Sequence, residues 1–115
     1  MKKILIVDDD MNDLENINLI LKKERYKVTT ADNGADALDL AIRDQPDAIL
    51  IDIKMPTLSG YDLLRLLREK VNHKVKMIYV SIVPKHEADL SDIDGFVQKP
   101  FTPESLIKEV NWMLK

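Results

Sequence analysis

The chain has 115 residues, of which 45% are hydrophobic and 32% are charged, proportions typical of one globular domain with a single hydrophobic core. Its formal net charge of −3 argues against direct nucleic-acid binding, because phosphate contacts need clustered lysine and arginine. The absence of cysteine excludes disulfides and cysteine-ligated zinc and agrees with a cytoplasmic location, and no apolar run approaches the roughly 20 residues that membrane insertion needs.

Apolar runs alternate with stretches of helical periodicity along the chain. The first half begins with a predicted strand at Ile4 to Val7 and a predicted helix from Met11 to about Glu24. The run from Tyr26 to Thr30 is β-prone but more polar, so we place it at a sheet edge. Asn33-Gly34 then opens a second helix, and Ala48 to Ile51 is a second fully apolar strand.

The second half repeats the alternation. A helix rich in leucine follows Gly60, a strand covers Val75 to Val80, and Phe96-Val97 marks a short fifth strand. Thr102-Pro103-Glu104 combines an N-cap residue, a proline at the first helical position and an early acid, which together indicate the start of the last helix.

Fully apolar strands separated by helices are typical of a parallel sheet that is covered on both faces. We therefore predict an α/β fold, a (βα)5 doubly wound five-stranded parallel sheet. The fourth helix is expected to be shortened, because Pro84 to about Ser91 offers few apolar positions. No linker or repeat interrupts the pattern, so residues 1–115 are predicted to form a single domain.

Polar side chains follow four of the predicted strands, at the edge where ligands bind in open parallel sheets. They are Asp8, Asp9 and Asp10 after the first strand, Asp52 after the third, Ser81 after the fourth and Lys99 after the fifth. Two carboxylates about 4 Å apart repel by roughly 4 kcal/mol at an effective dielectric of 20. Mg²⁺, which prefers oxygen ligands and often a substrate phosphate, would relieve this repulsion. A carboxylate there can attack phosphorus, with lysine and hydroxyl groups binding the phosphoryl oxygens.

Four motifs, in their order along the chain, resemble those of response-regulator receiver domains, the phospho-accepting half of two-component signalling. The motifs are Val7-Asp8-Asp9, then Ile51-Asp52 with Met55-Pro56 and Gly60, then Ser81, and then Lys99-Pro100-Phe101. Each motif alone is weak, but four in order at strand ends are highly specific. The resemblance covers the whole chain and implies a flavodoxin-like fold of the kind found in chemotaxis regulators.

The resemblance implies a role for each matching residue. Asp52 would accept the phosphoryl group, and Asp8 and Asp9 would hold Mg²⁺ together with Asp52 and the backbone carbonyl of Lys54. Lys99 would pair with the phosphoryl group, and its bond to the following proline is usually cis in this family. An Xaa-Pro bond permits this because its trans preference is only about 0.5–1 kcal/mol.

The resemblance also implies a switch and its partners. Ser81 would hydrogen-bond the phosphoryl oxygen, and Phe96 would be the aromatic residue whose rotamer follows it. The donor would be a histidine kinase or a histidine phosphotransfer protein, and the target an unspecified downstream protein. The domain would catalyse its own phosphorylation and dephosphorylation without being an enzyme in the usual sense. The chain ends with the last helix, so we expect no output domain, and the sequence leaves open whether the chain works alone or is a piece of a larger regulator. We also expect a monomer or weak dimer.

Two features depart from the family, and two alternative functions remain open. Ile82 replaces the usual small residue and is expected to narrow the route to Asp52, and the interval from Ser81 to Phe96 is short. One alternative is a small Mg²⁺-dependent phosphatase of the haloacid-dehalogenase type using Asp8, with Asp10 completing its Asp-x-Asp motif. The other is a receiver-like interaction module that acts without phosphorylation. Asp10 itself is expected to cap the first helix.

Overall fold

The computed structural model describes all 115 residues, which form five strands and four α-helices. The strands are β1 (Lys3–Val7), β2 (Lys27–Ala31), β3 (Ala48–Ile51), β4 (Lys76–Ser81) and β5 (Gly95–Gln98). The α-helices are α1 (Met11–Lys23), α2 (Gly34–Asp44), α3 (Gly60–Lys70) and α4 (Pro103–Met113). All strand pairs are parallel, in the order β2-β1-β3-β4-β5, which confirms the predicted sheet and the edge position of β2. None of the helices has both the length and the apolarity needed to cross a membrane.

The central strands are apolar throughout because both faces of the sheet are covered. Leu5 and Val7 of β1 belong to the core beneath α2 and α3, whereas Ile4 and Ile6 belong to the opposite core beneath α1 and α4. Each buried aliphatic side chain contributes about 1.5–3 kcal/mol, so a register slip by one residue would be costly. This packing fixes where β1 and β3 end, and therefore where their terminal acids lie.

The fourth helix, which was predicted to be shortened, is reduced to a single 3-10 turn, Lys85–Glu87, between β4 and β5. The residues after this turn favour turns over a helix. The carboxylate of Asp89 accepts a hydrogen bond from the backbone N–H of Ser91 at 2.9 Å, and Asp92 adopts a left-handed conformation with φ of 62°. The fold is thus a five-stranded doubly wound sheet with four helices.

Hydrogen bonds from α3 hold this irregular segment where a helix would otherwise pack. The guanidinium of Arg68 donates to the backbone carbonyl of Asp92 at 2.7 Å and to the carboxylate of Asp94 at 2.9 Å. The hydroxyl of Tyr61 accepts from the backbone N–H of Asp89 at 3.1 Å. The Asp94 carboxylate also accepts from the backbone N–H of Met77 at 2.8 Å, which ties the segment to β4.

Gly60 allows α3 to begin directly against the loop that carries Asp52. Its backbone N–H donates to the carbonyl of Ile53 at 2.8 Å. A Cβ atom at this position would lie 2.3 Å from the backbone oxygen of Asp52 and 2.8 Å from the Cα of Ile53. Both neighbours are backbone atoms, so any larger residue would displace the loop after β3, and with it Asp52.

Candidate phosphoryl-acceptor site

Three carboxylates meet where β1 and β3 end side by side. Asp8 follows β1 and Asp52 follows β3, and the backbone N–H of Asp52 donates to the carbonyl of Val7 at 2.9 Å. Asp8 and Asp52 are buried, whereas Asp9 is exposed. Oxygen atoms of the three carboxylates lie within 4.8 Å of one another, close enough for one metal ion to bind all three.

Lys99 brings a positive charge into this cluster from the loop after β5. Its Nζ lies 2.7 Å from Oδ2 of Asp8, 2.8 Å from Oδ2 of Asp13 and 3.9 Å from Oδ1 of Asp52. Only 8% of the lysine side chain is exposed, so solvent screens these interactions weakly. The peptide bond from Lys99 to Pro100 is cis, as the resemblance implied.

The acids at the start of α1 have different roles. Asp10 is the N-cap residue, because its Oδ1 accepts from the backbone N–H groups of Asn12 and Asp13 at 2.9 and 3.1 Å. This confirms that Asp10 caps the helix. Asp13 was not among the predicted site residues, although its carboxylate binds Lys99. Its position one turn after the acid pair was the available signal, but helical acids usually face solvent.

Burial and repulsion perturb the ionisation of this cluster. Burial, followed by repulsion from Asp8, raises the pKa of Asp52 to about 7, although Lys99 opposes the change. Burial also raises the pKa of Asp8, and the hydrogen bond from Lys99 only partly offsets this. For Lys99, burial lowers the pKa, but the hydrogen bonds to Asp13 and Asp8 outweigh it and leave the pKa raised. The protein alone therefore leaves part of the negative charge uncompensated.

Without divalent cations, the free energy of unfolding is expected to fall as the pH rises toward neutrality. An unfolded aspartate ionises near 3.8 and folded Asp52 near 7, so between these values the folded state binds the extra proton. The contribution of Asp52 to the free energy of unfolding is therefore most favourable below pH 4, where the acid is protonated in both states. It falls by on the order of 2–4 kcal/mol as the pH rises to about 7. Urea unfolding of wild type and Asp52→Asn in EDTA measures it. Parallel pH profiles for the two proteins would contradict this prediction.

Of the remaining predicted residues, Ser81 and Lys54 lie at the same edge of the sheet, whereas Phe96 lies near the start of β5. Ser81 ends β4 and is fully buried, and its Oγ accepts from the backbone N–H of Val83 at 3.2 Å. Phe96 of β5 is half-buried and packs against the core beneath α2 and α3. Lys54 is exposed in the loop after β3, and the Ile82 side chain is 59% exposed. The narrowing effect of Ile82 stays a prediction.

Comparison with known proteins identifies the family. The model of the response regulator receiver domain matches residues 4–111. Protein PilH of Pseudomonas aeruginosa is 32% identical over an alignment of 121 positions. This alignment covers 99% of this chain and 98% of PilH. The response regulator SaeR of Staphylococcus aureus is 31% identical over 119 residues. That match covers 99% of this chain but 51% of SaeR, so the chain spans about half the length of this relative.

Solved structures agree with the family match. The chemotaxis protein CheY4 of Vibrio cholerae superposes with a TM-score of 0.91 at 28% identity, over 99% of each chain. The response regulator TrrA of Thermotoga maritima, solved in complex with Mg²⁺-BeF, has a TM-score of 0.90 at 34% identity, over 99% of this chain and 100% of TrrA. Together with the acid cluster at the ends of β1 and β3, these matches show that the chain belongs to the response regulator receiver domain family, the phospho-accepting domains of two-component signal transduction.

Proposed function

We propose that Asp52 is the phosphoryl acceptor and that it works with Mg²⁺ bound by Asp8, Asp9, Asp52 itself and the backbone carbonyl of Lys54. The observation that carries this proposal is the convergence of three carboxylates, with oxygens within 4.8 Å of one another, beside the ammonium group of Lys99. Asp8 already accepts a hydrogen bond from Lys99 at 2.7 Å, whereas Asp52 lies 3.9 Å from it. Asp52 is therefore the acid better able to offer an oxygen to phosphorus.

The donor set fits Mg²⁺. Carboxylate and carbonyl oxygens are the ligands this ion prefers. The raised pKa values of Asp8 and Asp52 indicate negative charge that a divalent cation would neutralise. When bound, Mg²⁺ supplies positive charge that stabilises the phosphoryl oxygens during transfer. The Mg²⁺-BeF complex of the related TrrA supports this assignment.

Phosphoryl transfer requires that Asp52 be ionised and that its oxygen lie in line with the P–N bond of a phosphohistidine. A histidine kinase or a histidine phosphotransfer protein would present this phosphohistidine. An oxygen of Asp52 forms the new P–O bond while the P–N bond breaks. The leaving imidazole keeps the electron pair of the broken bond and takes up a proton. Lys99 and Ser81 hydrogen-bond the phosphoryl oxygens as their charge develops. The domain thereby catalyses its own phosphorylation and dephosphorylation, and it is not an enzyme in the usual sense.

Ser81 and Phe96 form the proposed switch. The Ser81 hydroxyl ends β4 and has a proton to donate to a phosphoryl oxygen. Phe96 lies on the neighbouring strand, where Tyr79 of β4 is its register partner, and it is only half-buried, so a rotamer change has room at the surface. Phosphorylation would shift the population between two arrangements of this surface, which a downstream protein distinguishes.

Residues 1–115 are proposed to act as one receiver domain in the cytoplasm, as a monomer or weak dimer. The match to 98% of the length of PilH supports the single-domain assignment. The absence of an output domain stays a prediction, since SaeR is about twice as long as the matched region. The geometry disfavours a phosphatase that uses Asp8, because Lys99 holds Asp8 and Asp10 caps α1.

Beryllofluoride, a phosphoryl mimic, tests the proposal. In the presence of Mg²⁺ we expect it to perturb the backbone NMR signals of Asp52, Ser81 and Phe96, because the mimic would occupy the phosphoryl position. Fluoride and Mg²⁺ without beryllium are the control and are expected to leave Ser81 and Phe96 unchanged. The absence of any beryllofluoride response in the folded protein would contradict the proposal and favour an interaction module that acts without phosphorylation.

A further inference from the structure

We infer that Asp13 is a positioning residue that competes with the phosphoryl group for Lys99, so that phosphorylation transfers the lysine from Asp13 to the modified Asp52. The inference rests on the function proposed above. Its basis is that Lys99 makes two short bonds, to Asp8 at 2.7 Å and to Asp13 at 2.8 Å, but lies 3.9 Å from Asp52. The ammonium group is thus directed mainly toward acids that do not accept phosphate.

The hydrogen bonds of Lys99 to Asp8 and to Asp13 differ in how much free energy it costs to break them. The Asp8 side chain is 2% exposed, so water cannot take the place of Lys99 there if their hydrogen bond breaks. The Asp13 side chain is 41% exposed, and water can replace the lysine there at little cost. When a group near Asp52 attracts Lys99, the bond to Asp13 is therefore the one expected to break.

Charge gives the direction of the effect. A phosphoryl group carries about two negative charges and several strong acceptor oxygens. In the unphosphorylated protein, two carboxylates already neutralise the single charge of Lys99, and Asp13 adds negative charge that repels the incoming anion. Removing the Asp13 charge should therefore leave Lys99 bound to Asp8 alone and strengthen the binding of a phosphoryl mimic.

The transfer would also change the surface near α1. Asp13 lies in the first turn of α1, and Lys99 lies in the loop between β5 and α4. Their hydrogen bond therefore joins two segments that are 86 residues apart in sequence. Its loss on phosphorylation would release the first turn of α1 from this loop.

Asp13→Asn is the test, with Asp10→Asn as its matched control. Asparagine at position 10 keeps the N-cap and removes one negative charge from the same turn, without any contact to Lys99. In Mg²⁺ and beryllofluoride, we expect Asp13→Asn to bind the mimic about five- to tenfold more tightly than wild type, which is roughly 1–1.4 kcal/mol. Asp10→Asn should stay within about twofold of wild type, as expected for an exposed charge. Asp13→Ala, which also suits a helix, should act in the same direction as Asp13→Asn.

The side-chain NMR signal of Lys99 provides a readout that a purely structural role would not move. In unliganded Asp13→Asn it should shift toward its position in wild type saturated with beryllofluoride, and in Asp10→Asn it should not. Equal affinities in the two asparagine variants, or weaker binding by Asp13→Asn, would overturn the inference. Failure of wild type itself to bind beryllofluoride would instead contradict the proposed function, so the two failures are distinguishable.

Discussion

Asp52→Asn is expected to lose phosphorylation by acetyl phosphate and Mg²⁺, with the rate falling at least about a thousandfold, because the amide lacks the nucleophilic oxygen. Intact-mass measurement should show one added phosphoryl group on wild type and none on the variant. The loss cannot be attributed to unfolding if the variant is at least as stable as wild type at neutral pH. We expect the variant to be at least as stable as wild type, because asparagine replaces a buried carboxyl group whose pKa is raised to about 7 and which is therefore costly to ionise.

Asp32→Asn is the matched control for this experiment. Asp32 directly follows β2, so it lies at the same edge of the sheet, but it is exposed and outside the carboxylate cluster. We expect Asp32→Asn to be phosphorylated at the wild-type rate. Peptide mapping then locates the label in wild type. A label on Asp8 would contradict the receiver mechanism and favour the phosphatase-like alternative.

The strands that carry the site were predictable because burial on both faces leaves a strong signal. Ile4 to Val7 and Ala48 to Ile51 are apolar at every position, and each of these residues is buried. An uninterrupted apolar run of this length, followed at once by an acid, fixes both the strand and its end. The more polar β2 was placed at the edge for the same reason, because one side of an edge strand lacks a neighbour.

The segment between β4 and β5 was less predictable, because its conformation depends on contacts with residues far away in sequence. Few apolar positions indicated a weak helix but did not exclude one. The hydrogen bonds from Arg68 to Asp92 and Asp94 stabilise an irregular backbone conformation. They cannot be inferred from the local sequence, because they form only when α3 packs beside this segment. Local propensity is a weak predictor where tertiary contacts decide the backbone.

The same distinction applies to the site. Asp8, Asp9 and Asp52 were predictable because the ends of parallel strands converge on one edge, and the structure brings their carboxylates together. Asp13 was not predictable, because its contact with Lys99 joins residues 86 apart in sequence and depends on how α1 packs against the sheet. Sequence position thus identifies groups on strand ends more readily than groups that a neighbouring helix adds.

Asp9→Ala is expected to lower Mg²⁺ affinity at least about tenfold, or roughly 1.4 kcal/mol, and to abolish Mg²⁺-dependent phosphorylation of Asp52. Asp9 is exposed, so its removal should leave the core intact and affect mainly the number of oxygen ligands. Calorimetric titration with Mg²⁺ measures the affinity, and labelling by acetyl phosphate over a range of Mg²⁺ concentrations measures the reaction. Wild-type affinity in the variant would show that Asp9 is not a ligand.

Asp10→Ala distinguishes this loss from a general effect of removing an acid beside the site. Asp10 precedes α1 and accepts from two backbone N–H groups at its start, so the alanine variant should lose about 0.5–2 kcal/mol of stability in urea unfolding. Its Mg²⁺ affinity and phosphorylation should stay close to wild type. This result would show that the two adjacent aspartates have different functions, because Asp9 would be needed for metal binding and Asp10 for helix stability. Equal losses of Mg²⁺ affinity in both variants would indicate that the site responds to total negative charge rather than to a specific ligand.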